Sequence, residues 1–237
     1  MIKEVIFDID NTLYDYEIGH AAGMKKMGEY VKKEFGAEPE EFEKNYKRLN
    51  QEIAERLGRD NATIHSRSIR LQNLLEEWEK PLFPHVNVLY HLYWDTLIDV
   101  SRAEPGSLEA VKELYKMGIG IGIGTDMTAQ MQYAKLEHLG FAPYIRHIVT
   151  SQEAGYEKPH REFMSLCIRK AGCAPDECVF VGDAFKKDVV GAMNAGMHAV
   201  WYNAKEKALP EDLELNGRNY KEIRHFDELV PYVRSLA

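Results

Sequence analysis

Two aspartates that directly follow the first apolar run of the chain are the residues best suited to chemistry. The run Val5–Phe7 has the β-branched and aromatic composition of a buried strand, and Asp8 and Asp10 come just after it. Because side chains alternate along a strand, extended geometry would put both carboxylates on one side, close together. Such a pair needs a shared proton or a cation, and Mg²⁺, which takes oxygen ligands, suits it. The alternative is an Asx turn with both aspartates in solvent.

Polar residues also follow two later apolar runs. Residues 118–124 alternate Gly with Ile and lead into Thr125, and Cys178–Gly182 leads into Asp183. The glycines fall on one face of the predicted strand, where we expect their missing side chains to let a helix approach closely. They match neither the dinucleotide fingerprint nor the phosphate loop. Since ligands gather at the carboxyl ends of parallel strands, the sequence predicts one site at that edge.

The order of apolar and periodic segments predicts an α/β fold. Further strands are expected at residues 147–150 and 198–202, and helices at 108–117, 129–139, 159–171 and 189–195, with a closing strand fragment and helix over 223–236. Strands spaced by helices favour right-handed crossovers. We therefore expect a doubly wound parallel sheet, a Rossmann-like core.

Residues 18–100 have helical periodicity instead and predict a small bundle. The four expected helices run over Ile18–Phe35, from Pro39 to Gly58, from Asn61 as N-cap to Pro81, and onward from Pro84. The predicted organisation is a four-helix-bundle domain at residues 17–100, inserted into a catalytic core formed by residues 1–16 and 101–237.

Composition limits the classes of partner. The 237 residues carry a net charge of −8, which disfavours nucleic acid polymers and anionic membranes but permits a small phosphorylated metabolite bound through local cations. Three cysteines are too few and too irregular for a disulfide framework or a zinc site. No signal-peptide pattern and no apolar stretch of ~20 residues is present. We therefore expect a cytoplasmic protein, either a monomer or a homodimer.

Four motifs, taken in order, resemble the haloacid dehalogenase-like hydrolase superfamily over essentially the whole chain. They are Asp8-Ile9-Asp10-Asn11-Thr12, Thr125 after the glycine-rich strand, Lys158-Pro159, and Gly182-Asp183-Ala184-Phe185-Lys186-Lys187-Asp188. The second and third are weak signals alone, whereas all four in order are strong. The run from Thr125 to Gly196 is most similar to pyrimidine nucleotidases and N-acylneuraminate-9-phosphatase. The helical insertion corresponds to the bundle-type cap of such relatives.

The resemblance implies a catalytic role for four residues. Asp8 would be the nucleophile that forms an aspartyl-phosphate, and Asp10 the general acid that later activates water as a base. Thr125 and Lys158 would bind the phosphoryl oxygens. A helix after Thr125 offers free N–H groups for phosphate, and we expect Thr125 also to be its N-cap.

The resemblance also implies a Mg²⁺ site. The metal would be held by the Asp8 carboxylate, the Asp10 backbone carbonyl and Asp183. Asp188 would orient Lys158 and a metal-bound water, and Thr12 would support the site without touching the substrate.

The function these motifs imply is a Mg²⁺-dependent phosphatase acting on a small phosphomonoester, a nucleotide or a sugar phosphate. A dehalogenase is disfavoured because members with that activity lack the second aspartate, here Asp10. A sugar phosphomutase of the same superfamily is the main alternative. A phospho-acceptor signalling module and a binding protein without catalysis are less favoured.

Several charged residues outside the motifs are interpreted as surface residues. In the helical insertion His65, Arg67 and Arg70 are expected at the surface, with contact to substrate as the alternative. Lys186 and Lys187 are expected to form a solvated face.

Overall fold

The computed structural model describes residues 1–58, 60, 62–209 and 219–236. The chain divides into two compact units, one formed by Met1–Asp15 with Arg102–Ala237 and the other by Tyr16–Ser101. We call them the sheet unit and the helical unit. No helix in the described part of the chain combines the length and the apolar character needed to cross a bilayer.

The sheet unit is built on six parallel strands. Their bounds are β1 Glu4–Phe7, β2 Gly120–Thr125, β3 His147–Thr150, β4 Cys178–Gly182, β5 His198–Tyr202 and β6 Lys221–Ile223. The strands lie in the order β3-β2-β1-β4-β5-β6, and every neighbouring pair is parallel. The predicted doubly wound α/β core is therefore confirmed, and the strand order reverses between β1 and β4, where ligands of such sheets bind.

The central strands are buried along their whole length. Every residue of β1 and of β4 is buried, which explains their nearly uninterrupted apolar sequences. In register, Phe7 pairs with Ile123 of β2 and with Val181 of β4. The three strands consequently end at one level, and the residues that follow them meet at one edge of the sheet.

Two of the three glycines of β2 make room for side chains of neighbouring strands. A Cβ at Gly120 would overlap the buried Glu4 carboxylate, and one at Gly122 would overlap the His147 ring. Glu4 Oε1 and His147 Nε2 are 2.7 Å apart, so these glycines accommodate a polar pair that crosses β2. The expected close approach of a helix is found at Gly124 alone of the three, where a Cβ would lie 3.2 Å from Cys167 Sγ on the helix Arg161–Ala171 as well as against the Phe180 ring.

The helical unit contains the four predicted helices. They are α1 Tyr16–Phe35, α2 Pro39–Leu57, α3 Arg67–Glu77 and α4 His85–Val100. The predicted start of the third helix was wrong: α3 begins at Arg67, with Ser66 as its N-cap, since the Ser66 hydroxyl accepts the Ile69 N–H at 3.4 Å. Ala62–His65 forms a separate 3₁₀ turn, and Asn61, the predicted cap, lies outside the described residues.

Six further α-helices lie in the described part of the sheet unit. They are α5 Ser107–Lys116, α6 Ala129–His138, α7 Ser151–Ala154, α8 Arg161–Ala171, α9 Val190–Asn194 and α10 Leu229–Ser235. A π-helical turn, Phe185–Val189, precedes α9. This turn carries Asp188 of the fourth motif back toward the end of β4.

Candidate active site

Hydrogen bonds at the ends of β1 and β4 connect the first motif to the fourth. The Asp8 N–H donates to the Val181 carbonyl at 2.9 Å, which continues the strand pairing one residue past β1. The Asp183 N–H donates to the buried Thr12 hydroxyl at 3.1 Å. Two polar segments far apart in the chain are thereby fixed side by side, and Thr12 makes one of the connecting bonds.

Lys158 lies between two aspartates. Its Nζ is 2.7 Å from Asp8 Oδ1 and 2.7 Å from Asp188 Oδ1. Lys158 is only 4% exposed, so it is not a solvated loop lysine, and Asp8, at 6%, is not a solvated turn residue. A buried ammonium between two buried carboxylates brings the first, third and fourth motifs together.

Asp126 helps to hold the segment that carries Lys158. The Lys158 N–H donates to Asp126 Oδ1 at 2.9 Å. The other oxygen, Asp126 Oδ2, lies 2.8 Å from Lys187 Nζ, which is also 3.0 Å from Glu157 Oε2. The Lys187 side chain is 43% exposed, as expected of a residue on a solvated face, while its ammonium group binds these two carboxylates. Asp126 therefore links the segment that carries Lys158 to Lys187.

Asp188 is held by its own backbone turn and by a glycine. Its Oδ2 accepts the Ala184 N–H at 2.9 Å. A Cβ on Gly182 would overlap the Asp188 carboxylate. Glycine at the end of β4 is therefore what allows Asp188 to come close enough to the strand to reach Lys158.

Three carboxylates form an all-oxygen cluster at the strand ends. One oxygen each of Asp8, Asp183 and Asp188 lies within 4.8 Å of the others. Oxygen ligands at this spacing suit Mg²⁺, so the residues present fit the predicted ion. Lys207 also reaches this cluster, with Nζ 2.6 Å from Asp183 Oδ2. The Asp10 carboxylate is not a member of it, while the predicted role of Asp10 in binding metal uses its backbone carbonyl.

Asp10 has a separate set of partners. Its Oδ1 lies 2.6 Å from Lys135 Nζ and accepts the Tyr14 hydroxyl, and its Oδ2 accepts Gln132 Nε2 at 3.2 Å. Burial raises the pKa of Asp10, but the charge of Lys135 and these hydrogen bonds outweigh burial and hold the pKa below its usual range. Asp10 is therefore a carboxylate in the resting protein.

Thr125 shares a hydrogen-bond partner, Gln132, with Asp10. Its side chain is buried, and its Oγ1 accepts Gln132 Nε2 at 2.7 Å. The expectation that Thr125 is the N-cap of the following helix was wrong: α6 begins at Ala129 and Thr128 is the residue before it. Three residues separate Thr125 from the helix, so its hydroxyl bonds to a side chain from the second turn.

The carboxylates of the all-oxygen cluster and the ammonium group of Lys158 shift one another's pKa values. Burial, with the nearby charge of Asp188, raises the pKa of Asp8 to about 7, although Lys158 opposes this. Burial and the charge of Asp8 raise the pKa of Asp183 to about 6. Burial lowers the pKa of Lys158, but Asp188 and Asp8 raise it well above its ordinary value. Once these acids ionise they attract a further cation, while the lasting Lys158 ammonium beside them opposes its binding.

Sequence reasoning missed Gln132 and Lys135. Both lie on α6, three residues apart, and therefore on one helix face. Lys135 is 1% exposed and Gln132 fully buried. A predicted helix whose inward face carries polar residues in place of an apolar stripe was the signal that would have revealed them.

In the helical unit, Arg67 and Arg70 are 4% and 8% exposed. The expectation that both lie at the surface was wrong. Their side chains point inward among aromatic residues of α1, α2 and α4, where cation–π contacts and tyrosine hydroxyls partly replace water.

Comparison with known protein families gives a match over most of the chain. A model described as haloacid dehalogenase-like hydrolase matches residues 2–196. The four motifs all lie within these limits, as do the other site residues described above except Lys207.

Named relatives and solved structures agree with this match. A ribulose-1,5-bisphosphate 5-phosphatase of Halopiger xanaduensis is 30% identical, covering 88% of this chain and 87% of that protein. A glyceraldehyde 3-phosphate phosphatase of Methanothermobacter thermautotrophicus is 31% identical, covering 97% of this chain and 98% of that protein. The crystal structure of a HAD phosphatase from Thermococcus onnurineus superimposes with a TM-score of 0.74 at 25% identity, covering 98% of each chain.

Proposed function

Because the chain belongs to the haloacid dehalogenase-like hydrolase family, we propose that it is a Mg²⁺-dependent phosphatase that hydrolyses a small phosphomonoester, a nucleotide or a sugar phosphate. The observation that carries the proposal is the buried Lys158 ammonium between Asp8 and Asp188, beside the all-oxygen cluster. Relatives named as phosphatases of ribulose bisphosphate and glyceraldehyde phosphate support the substrate class.

Asp8 is the proposed nucleophile. A carboxylate oxygen of Asp8 would attack phosphorus, forming an aspartyl-phosphate while the bond to the ester oxygen breaks. A phosphomonoester carries nearly two negative charges at neutral pH, so a bare carboxylate would repel it. Lys158, 2.7 Å from Asp8 Oδ1, supplies the positive charge that screens this repulsion. Thr125 is proposed to bind a phosphoryl oxygen as well.

Asp10 is the proposed proton carrier. It would protonate the leaving alcohol and then take a proton from the water that hydrolyses the aspartyl-phosphate. Lys135 holds Asp10 ionised at rest, so Asp10 must take up a proton from solvent water as the substrate binds. We infer that an approaching phosphate dianion raises the pKa of Asp10, because like charges disfavour the ionised form.

The proposed Mg²⁺ ligands are the carboxylates of Asp8 and Asp183 and the backbone carbonyl of Asp10. When bound, the ion would supply positive charge to the phosphoryl oxygens. Asp188 shares the all-oxygen cluster and also binds Lys158. It is therefore proposed to fix the position of Lys158 relative to the ion.

The helical unit is proposed to be the cap domain of this family, with the predicted bounds 17–100. The proposal includes a free phosphorylated metabolite as substrate and a cytoplasmic monomer or homodimer as the acting form. The net charge of −8 supports a small ligand over a nucleic acid polymer.

The direct test is release of phosphate from p-nitrophenyl phosphate with and without Mg²⁺. We expect turnover only with the metal, and none above background for Asp8→Asn. Asp176→Asn is the matched control, since Asp176 is an exposed aspartate outside the motifs. Equal rates for Asp8→Asn and the unchanged protein would refute the assignment. A lasting phosphoaspartate without turnover would favour a phospho-acceptor module, and transfer to a sugar hydroxyl would favour a phosphomutase.

A further inference from the structure

Gln132 of α6 is fully buried beside Thr125 and Asp10. Its Nε2 lies 2.7 Å from Thr125 Oγ1, 3.2 Å from Asp10 Oδ2 and 3.3 Å from the Asp126 carbonyl oxygen. An amide nitrogen carries two N–H groups, so two donors serve three acceptors here. In the described part of the chain, its Oε1 is buried and has no hydrogen-bond donor. The hydrogen bonds of this side chain are therefore made by its nitrogen.

The acceptors around Gln132 determine which way its amide points. Asp10 Oδ1 is paired with Lys135 Nζ at 2.6 Å, so Asp10 presents carboxylate oxygens, which accept hydrogen bonds and donate none. The Asp126 carbonyl oxygen is also an acceptor without a proton. An amide turned by 180° would place its oxygen against both acceptors, where like partial charges repel. These two acceptors thus fix the amide with its nitrogen toward Thr125.

This orientation determines how the Thr125 hydroxyl is used. A hydroxyl has one proton to donate and two lone pairs that accept. Because Thr125 Oγ1 accepts the Gln132 N–H at 2.7 Å, the hydroxyl proton points elsewhere. Among the described residues, its acceptor is the Asp126 carbonyl oxygen at 3.3 Å, which is longer than the usual O–H···O distance of about 2.7–2.8 Å. A reversed amide would instead accept this proton at the shorter distance and occupy it.

We propose that Gln132 is a positioning residue that keeps the Thr125 hydroxyl proton available for a phosphoryl oxygen of the substrate. This inference rests on the proposed function, in which Thr125 binds that oxygen. A hydroxyl that already accepts a hydrogen bond is a stronger donor, since hydrogen bonds in a chain polarise one another. Gln132 is buried and acts through Thr125, without touching the substrate itself.

Two other roles for Gln132 lead to different results. If it acted through Asp10, its loss would affect an alkyl phosphate, whose alkoxide needs a proton, more than p-nitrophenyl phosphate. If it served the fold alone, its loss would be the same whether or not Thr125 had a hydroxyl. An effect through Thr125 should be equal on both substrates, because they share the phosphoryl group, and should depend on the hydroxyl.

The first experiment measures kcat/KM with an alkyl phosphate and with p-nitrophenyl phosphate. We expect Gln132→Met, which removes the donor, to lose about 10-fold on both substrates. Gln132→Glu keeps the shape but replaces the donor with an acceptor that takes up the Thr125 proton, so we expect a loss of about 100-fold. Gln130→Met, the same substitution at an exposed position of α6, is the matched control and should behave as the unchanged protein.

The second experiment tests whether the effect passes through Thr125. In the background of Thr125→Val, which lacks the hydroxyl, Gln132→Met should change kcat/KM by less than about 2-fold. Binding of inorganic phosphate with Mg²⁺ present, measured by titration calorimetry, gives the same cycle without turnover. We expect the dissociation constant to rise about 10-fold in each single variant and no further in the double variant. Thermal unfolding verifies that each variant is folded, and Gln132→Leu replaces Gln132→Met if that variant is not.

The outcomes separate this role from the other two and from the proposed function. An unchanged kcat/KM in Gln132→Met overturns the proposal. An equal loss with and without the Thr125 hydroxyl overturns it in favour of a structural role, and a loss confined to the alkyl phosphate overturns it in favour of Asp10. A protein without turnover whose phosphate binding follows the expected cycle would contradict the proposed function and support the role of Gln132. A protein with neither turnover nor phosphate binding would contradict both.

Discussion

Lys135 Nζ lies 2.6 Å from Asp10 Oδ1, and Lys158 Nζ lies 2.7 Å from Asp8 Oδ1. Each acid of the first motif thus has its own buried lysine. The two environments are not equivalent: the pKa of Asp10 is held below its usual range, whereas burial raises that of Asp8 to about 7. The proposed roles, Asp8 as nucleophile and Asp10 as proton carrier, need the opposite order, so the proposal requires a bound cation and substrate to lower the pKa of Asp8 and raise that of Asp10.

Replacing Lys135 should impair proton transfer to the leaving group more than phosphoryl transfer itself. In Lys135→Met the carboxylate of Asp10 loses a buried partner that fixes its position. We expect activity on an alkyl phosphate, whose alkoxide needs a proton, to fall about 10²-fold or more, and activity on p-nitrophenyl phosphate, whose phenolate does not, to fall less than about 10-fold. Steady-state kinetics with both substrates measure the difference.

Two further variants serve as controls for the effect of Lys135→Met. Lys135→Arg keeps the charge and should restore most of the alkyl phosphatase activity, and Lys116→Met, at an exposed position of α5, should behave as the unchanged protein. Equal losses on both substrates would show that Lys135 has a general structural role.

Local sequence was sufficient to predict the strand-end residues of the site. Asp8, Thr125 and Asp183 each follow a short apolar run, and parallel sheet geometry brings such ends to one edge. The family motifs added Lys158 and Asp188. None of these residues depends on knowing which face of a helix is buried.

The residues that were missed depend on contacts distant in sequence. Lys135 lies 125 positions from Asp10, and only the packed sheet unit brings them together. Arg67 and Arg70 were expected at the surface because charged side chains usually stay in water. Their burial follows from the tyrosines that surround them, which no local pattern connects to α3.

Stabilisation by Mg²⁺ should increase with pH. Folding raises the pKa of Asp8 from 3.8 to about 7 and that of Asp183 from 3.8 to about 6. In the metal-free protein, protons on these acids favour the folded form, so their contribution is lost as pH rises through about 6 to 7. Mg²⁺ needs the ionised forms, so its affinity should rise over the same interval.

Thermal unfolding with and without Mg²⁺, at about pH 5.5 and about pH 8, measures this effect through the rise in Tm. We expect the larger rise at the higher pH. Asp183→Asn should remove most of the metal-dependent rise, and an equal rise at both pH values would contradict metal binding by these acids.

Removing Lys207 should tighten Mg²⁺ binding. Its ammonium is 2.6 Å from Asp183 Oδ2 and competes for a carboxylate of the all-oxygen cluster. We expect Lys207→Met to lower the Mg²⁺ dissociation constant by several-fold in titration calorimetry, since a neighbouring positive charge is lost. Lys205→Met is the matched control, because Lys205 pairs with Asp15 instead. Weaker binding in Lys207→Met would indicate that Lys207 supports the metal site.

Gly182→Ala should destabilise the protein through Asp188. The added Cβ would overlap the Asp188 carboxylate and also its Cβ, so we expect a loss of about 1–3 kcal/mol in the free energy of unfolding. Asp188→Gly removes both overlapping groups, so in that background Gly182→Ala should cost much less. Urea denaturation of the two single variants and the double variant gives the coupling energy. The same cost in both backgrounds would show that the glycine is needed for another reason, and that Asp188 reaches Lys158 without its help.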